Sequence, residues 1–244
     1  MISVFIPVFN EEKNIRNVIK NIEAARKAAN NIPLDVIFVN DASTDKTPHI
    51  LAEIEKKYPY VRSISHKTNQ GIGTGLKEAV KIAKYAKFMI VPGDDDASHY
   101  LIRNMFLHRG DAEIIFSYYL NKEIRGRLRN ILSTTYGLLY MTIFNVYIQY
   151  INGVALYPTK KLRSLDIKSK RFSITAEINI KLLRLGCTYN EIAGYMQTGL
   201  QQSTLISLKN VFEVVMTFLR LIYEISWQKR RIFSKKPTRI IIHE

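Results

Sequence analysis

The chain has 244 residues, 47% hydrophobic and 23% charged, with a formal net charge of +15. That is enough apolar material for one large domain with a full core, with room for an appendage. The single cysteine, Cys187, excludes an intrachain disulfide and fits a reducing compartment. Met1 leads directly into an apolar run with no basic stretch before it, which argues against a cleaved signal peptide.

Residues 2–8 read as a short buried strand, and Asn10 reads as a helix N-cap followed by Glu11 and Glu12 at the positive helix end. Ile15, Val18, Ile19, Ile22 and Ala25 then recur at helical spacing. Leu34 to Val39 is a second buried strand, and the turn Asp41-Ala42-Ser43-Thr44-Asp45 opens a helix through Ile50, Leu51 and Ile54. A third strand is expected over 60–65, a loop over 69–73, a helix to about Tyr85, and a fourth strand over 88–91. Strands alternating with helices at these lengths predict an open, mostly parallel α/β sheet. Ligands of such sheets bind beyond the carboxyl ends of the strands, where these polar clusters fall. The fourth strand runs into Gly93-Asp94-Asp95-Asp96. Three adjacent carboxylates repel one another, and at a strand end they suit a divalent cation that in turn suits a diphosphate.

Beyond residue 110 the pattern changes. Residues 113–118 read as another strand, and Arg125-Gly126-Arg127-Leu128-Arg129 is a basic knot. Residues 131–159 hold no charged residue, which is long enough to cross a bilayer. Its Ser, Thr, Asn, Gln and Tyr residues instead favour amphipathic helices lying in a membrane surface or closing over an apolar groove. Residues 175–185 form an amphipathic helix carrying Glu177, 188–195 a last strand, and 205–227 a strongly apolar helix or two. The charges of that last segment, Lys209, Glu213, Arg220 and Glu224, share one narrow face, so its broad apolar face must be covered by the domain, a partner chain or lipid. The tail follows with Lys229-Arg230-Arg231 and Lys235-Lys236, a polybasic segment suited to anionic membranes. Residues 1–100 hold 14 Lys and Arg against 12 Asp and Glu, whereas residues 101–244 hold 22 against 9. The basic part implies a polyanion nearby: anionic lipid, phosphate groups or nucleic acid.

Four motifs in order, residues 6–11 (Ile-Pro-Val-Phe-Asn-Glu), 39–45 (Val-Asn-Asp-Ala-Ser-Thr-Asp), 69–73 (Asn-Gln-Gly-Ile-Gly) and Asp94–Asp96, resemble the family-2 nucleotide-sugar glycosyltransferases with the GT-A fold. Within them the chain is most similar to the dolichol-phosphate mannose synthase branch and its polyprenyl-phosphate relatives, strongly to about residue 100, moderately to about 190 and weakly beyond. The resemblance implies a GT-A catalytic domain over 1–200, with a nucleotide-sugar half (1–100) and an acceptor half (101–200), followed by an amphipathic helix and polybasic tail over 201–244. It assigns Pro7, Asn10, Glu11, Asp41, Gly71, Gly73 and Asp94 to the nucleotide sugar, and Asp96 to Mg²⁺ or Mn²⁺. Asp94 and Asp96 with Glu177 form the catalytic set, with Glu177 a general base if the acceptor is a hydroxyl. Arg127, Arg129 and Ser133, with Arg125 beside them, would hold an acceptor phosphate. The segment 152–157 resembles the part that shapes the acceptor side.

Where the branch carries an arginine and a Ser-Lys pair closing on the diphosphate, this chain has Gln201, Gln202 and Ser203, which offer only neutral hydrogen bonds. The expected protein is an inverting transferase, peripheral on the cytoplasmic face of a membrane, that moves a sugar from a nucleotide donor to a polyprenyl phosphate. The alternatives are transfer to a hydroxyl of a glycan or lipid-linked oligosaccharide, and a non-catalytic nucleotide-sugar binder. No nucleic-acid partner is expected, because that reading explains none of the acidic strand ends. A homo-oligomer or membrane partner through the C-terminal helix is expected.

Overall fold

The computed structural model describes residues 1–171, 173–197 and 208–241, without the side chains of 208–211. Strand β1 (Ile2–Val8) and β2 (Leu34–Asn40) are buried along almost their whole lengths, as central parallel strands covered on both faces must be. Helix α1 (Ile15–Ala28) separates them and buries Ile15, Val18, Ile19, Ile22 and Ala25. Helix α2 (Thr47–Lys57), β3 (Val61–Ser65), α3 (Ile72–Ile82) and β4 (Lys87–Ile90) complete the parallel half. There follow α4 (His99–Leu107), β5 (Ile114–Tyr119), α5 (Arg127–Phe144), β6 (Ala155–Pro158), α6 (Thr159–Ser164), α7 (Ile174–Arg184), β7 (Thr188–Gly194), α8 (Leu208–Tyr223) and β8 (Thr238–Arg239).

The strands form one sheet in the order β3-β2-β1-β4-β6-β5-β7-β8. All neighbours are parallel except that β6 runs antiparallel to both β4 and β5. The pairings Val8 with Asn40 and Asn40 with Ser65 align the carboxyl ends of β1, β2 and β3 on one edge. One core joins α1, α2 and α4 to one face of the sheet, and a second joins α3, α5, α7 and α8 to the other.

Three features depart from the sequence expectation. Asn10 caps no helix: its φ is +56°, and α1 begins only at Ile15. Residues 155–158, read with an acceptor-shaping segment, form the antiparallel strand β6, and a side chain at Gly153 would lie 2.1 Å from the Ser117 carbonyl oxygen of β5. The basic tail is no free appendage, because Phe233 is buried and β8 adds to the same sheet beside β7.

The amphipathic helix α8 is turned opposite to a water-facing helix. Its polar row, Thr217, Arg220 and Glu224, faces inward onto Ser169, Glu177 and Lys181. Its exposed row is apolar: Phe212, Val215, Met216, Leu219 and Tyr223, continued by Trp227 in the π-helical turn Glu224–Gln228. Helix α5 likewise exposes Leu128, Ile131, Leu132, Leu138, Leu139 and Ile143. Among the described residues no helix is long and apolar enough to cross a membrane.

Candidate active site

The loops after β1 and β2 are stitched together. The Asn10 side-chain oxygen accepts from the Thr44 amide at 2.8 Å, and the Asn10 amide donates to the Ser43 hydroxyl at 2.9 Å. The Glu11 amide donates to Thr47 Oγ1, and the Glu11 carboxylate accepts from Asn14 at 2.6 Å. Pro7 sits at the start of the acidic loop: a side chain at Gly93 would lie 2.5 Å from its carbonyl oxygen.

Asp41, at the end of β2, holds the loop after β3. It accepts from the amides of Gln70 and Gly71, both at 2.8 Å, and pairs with His66 Nδ1 at 2.8 Å. His66 reaches Glu78 through its other ring nitrogen at 2.9 Å. Burial opposes the charged imidazole, but the hydrogen bonds to Asp41 and Glu78 outweigh it and raise the His66 pKa. Gly71 and Gly73 lack side chains for a reason the sequence did not disclose. A Cβ would lie 2.8 Å from the Lys170 carbonyl oxygen at Gly71 and 2.6 Å from that of Ser169 at Gly73. Backbone 169–170 passes over this loop, and Gly71 also needs φ +83°.

The three acids after β4 divide two and one. Asp95 adopts φ +62°, and its carboxylate accepts from Asn21 of α1 at 2.7 Å. Asp94 and Asp96 lie near each other; the Asp94 carboxylate accepts from the Asp96 amide at 3.3 Å. Burial, and then the Asp96 charge, push the Asp94 carboxyl up, while Arg129 works in the opposite direction. Arg125 donates to Asp96 at 2.9 Å and to the Tyr150 hydroxyl at 2.7 Å, with its guanidinium over the rings of Tyr119 and Tyr150. Met196 and Gln197 close the far side: Ala97 bridges to Met196, and the Gln197 amide donates to the Asp96 carbonyl at 3.1 Å.

Arg129 and Ser133 stand four residues apart on α5 and so share a face, whereas Arg127 projects into solvent. Ser133 lines a cavity of about 90 Å³ with Lys122, Arg125, Asn130 and Tyr150. Gln201, Gln202 and Ser203 lie outside the described residues. Glu177 does not join this group. It is fully buried and accepts from the Lys168 and Ser169 amides, Lys181 and Arg220. A carboxylate with four donors and no path to solvent cannot take a proton from an acceptor. The sequence placed Glu177 on a helix but could not tell which side of that helix met the core.

Arg125 is the residue whose place was hardest to foresee. Its cage comes from nearby β5 and from the 145–151 loop and the acidic loop, whose contacts lie 25 and 29 residues away along the chain, and only its membership of the basic knot pointed to it.

Among the described residues no group of three or more His, Cys, Asp or Glu could hold a metal ion unaided. Two carboxylates at a strand end still fit a hard divalent cation that takes its other oxygen ligands from a diphosphate and water. Here the positive charge beside Asp96 is the Arg125 guanidinium.

Residues 3–106 match the family model described as Glycosyl transferase family 2. The chain is 25% identical over 231 residues to an uncharacterised protein of Methanocaldococcus jannaschii, covering 89% of this chain and 97% of that one. It is 27% identical to a dolichyl-phosphate beta-glucosyltransferase of Trichomonas vaginalis, over 38% of this chain and 30% of that enzyme. In fold it is similar to glucosyl-3-phosphoglycerate synthase from Mycobacterium tuberculosis, crystallised with Mn²⁺, UDP and phosphoglyceric acid (TM-score 0.65, 19% identity, 91% of this chain and 78% of that one). The mostly parallel sheet is that of the GT-A fold, and residues 3–106, which carry the ordered motifs, are the part that matches glycosyl transferase family 2.

Proposed function

We propose that the enzyme is an inverting transferase that moves a sugar from a nucleotide-sugar to a polyprenyl, dolichyl-type phosphate at the cytoplasmic face of a membrane. One contrast carries this reading. The carboxylate that could have served a hydroxyl acceptor, Glu177, is sealed in the core, while Arg125 meets Asp96, Arg129 acts on Asp94, and Lys122 lines the adjoining cavity with Arg125. A phosphate acceptor is already an anion and needs cations to hold it, not a base to deprotonate it.

In this reading Pro7, Asn10, Glu11, Asp41 and the loop 70–73 form the donor side, and Asp94 with Asp96 would hold Mg²⁺ or Mn²⁺. When bound, that cation offsets the charge gathering on the departing nucleoside diphosphate. Arg125, Arg129 and Ser133 orient the acceptor phosphate. One of its oxygens forms the new bond to the anomeric carbon as the carbon–oxygen bond to the diphosphate breaks. The diphosphate leaves with that electron pair, and no proton moves.

The outward apolar rows of α5 and α8, next to a basic tail, support a membrane surface as the working location, because isolated apolar side chains are common on proteins but contiguous rows are not. The name of the Trichomonas relative supports a dolichyl phosphate acceptor.

The test is a donor screen. Purified protein with Mn²⁺ or Mg²⁺ and a short polyprenyl phosphate is offered UDP-, GDP- and dTDP-sugars, UDP-sugars first because the M. tuberculosis neighbour was crystallised with UDP. Lipid-dependent release of nucleoside diphosphate is expected. Release that ignores the lipid but follows a sugar hydroxyl would replace this acceptor with a glycan. Nucleotide binding without release from any donor would leave a non-catalytic binder.

A further inference from the structure

The inward polar row of α8 ends at the donor side of the site. Arg220 Nη2 donates to Glu177 Oε2 at 2.8 Å and to Ser169 Oγ at 2.9 Å. The same carboxylate accepts from the Lys168 amide at 3.1 Å and the Ser169 amide at 2.8 Å, which holds the backbone of 168–170 in place. That backbone lies against the loop after β3, and the Gly73 amide donates to the Lys170 carbonyl at 3.1 Å. From its other side the loop is held by Asp41. Lys181, itself buried, ties Glu177 at 2.7 Å to Glu224 at 3.1 Å and so fixes the base of the helix as well.

We propose that Arg220 and Glu177 are positioning residues for nucleotide binding: through the backbone of 168–170 they set the shape of the loop 70–73. The proposal rests on the reading of that loop as part of the donor site. Three observations favour it over simple anchoring of α8. Glu177 spends two of its four contacts on the amides of 168 and 169, not on helix α8. Segment 168–170 meets the loop at the two glycines where a side chain would collide with it. Arg220 also reaches that segment directly, through Ser169. A surface that grips the exposed face of α8 is thereby linked to the nucleotide loop.

The experiment compares wild type, Arg220→Ala and Arg220→Lys by amide hydrogen exchange and by binding of UDP and GDP with Mn²⁺. In Arg220→Ala the peptides covering 70–76 should exchange about tenfold faster, while those of β1 and β4 stay unchanged. Affinity for whichever nucleotide wild type binds should fall about tenfold, and Arg220→Lys should recover part of both. In turnover the donor KM should rise with the acceptor KM unchanged. Unchanged exchange at 70–76 would overturn the proposal, and so would an acceleration shared equally by β1 and β4, which would reduce Arg220 to general stability. The exchange measurement needs no sugar donor, so it can fail while the transferase assignment stands, or hold while that assignment fails.

Discussion

Replacing Arg125 with alanine removes the cation that sits against the acidic pair. The Arg125 side chain is 12% exposed and that of Asp96 29%, so the pair is partly shielded from water at its 2.9 Å separation. A hydrogen bond to a charged group contributes about 1.5–3 kcal/mol, and each ring contact adds roughly 0.5–1 kcal/mol at a partly exposed site. Discounting for the solvent reaching Asp96, the net loss should be about 2 kcal/mol. For a chain of this length that lowers Tm by about 4–8 °C. A second signature follows from the neighbouring carboxyl. Asp94 is already pushed up by burial and by Asp96, with Arg129 opposing, and leaving the Asp96 carboxylate without its Arg125 partner strengthens that push. A raised carboxyl pKa destabilises the fold fully above the raised value and progressively less as pH falls towards the unfolded one, so the Tm deficit should shrink on acidification. Millimolar Mn²⁺ should restore the variant more than it stabilises wild type, because in wild type the ion must displace the guanidinium; binding at a hundredfold excess over Kd contributes about 2.7 kcal/mol. Thermal unfolding across a series of falling pH values, with and without Mn²⁺, reads all three effects. A variant as stable as wild type, or one that gains no more from Mn²⁺, would refute this account of the pair.

Asp96→Asn should abolish metal-dependent release of nucleoside diphosphate while leaving the protein folded, and wild-type rates would remove the acidic pair from the reaction. Gly73→Ala should cost about 1–3 kcal/mol, because its Cβ would meet backbone atoms of 169–170 that cannot rotate away; thermal unfolding measures the loss. His66 has a folded pKa above its ordinary value, so the stability it contributes is complete below about pH 6.5 and is lost as pH rises through the raised value. Wild type should therefore lose stability over that interval relative to His66→Gln, and parallel pH profiles would contradict the Asp41–His66–Glu78 arrangement. Leu219→Ser and Trp227→Ser, both on exposed positions, should weaken binding to anionic vesicles with little change in Tm; equal sedimentation with vesicles would move the contact elsewhere. Truncation at residue 229 is a poorer probe, since it also removes buried Phe233, β8 and the Lys229–Glu224 ion pair.

Much of the first hundred residues was legible as sequence because the physics there is local. Buried parallel strands must be apolar along their length, their helices must carry an apolar stripe, and the polar turns between them fall at one sheet edge whatever the details of packing. The strands at 2–8, 34–40, 61–65 and 87–90 and the acidic turn that follows them needed nothing more. Which way a side chain faces in three dimensions is a different kind of information. The charges of α8 and the turn after it read on the sequence as one narrow face of unknown direction, and the fold turns Arg220 and Glu224 inward because Glu177 and Lys181, some forty residues away along the chain, supply partners for them. The same pairing seals Glu177, which periodicity alone leaves on a helix of unknown orientation. Gly71 and Gly73 read as places of close backbone approach, and the fold adds a reason the sequence did not show, the backbone of 169–170 lying where their side chains would be. Arg125 stands among three arginines of equal appearance, and contacts 25 to 29 residues distant single it out. Local pattern thus determined the sheet and the edge where chemistry would gather. Tertiary packing decided which charges meet there, because an ion pair or a close backbone approach depends on segments whose separation in sequence carries no information about their distance in space.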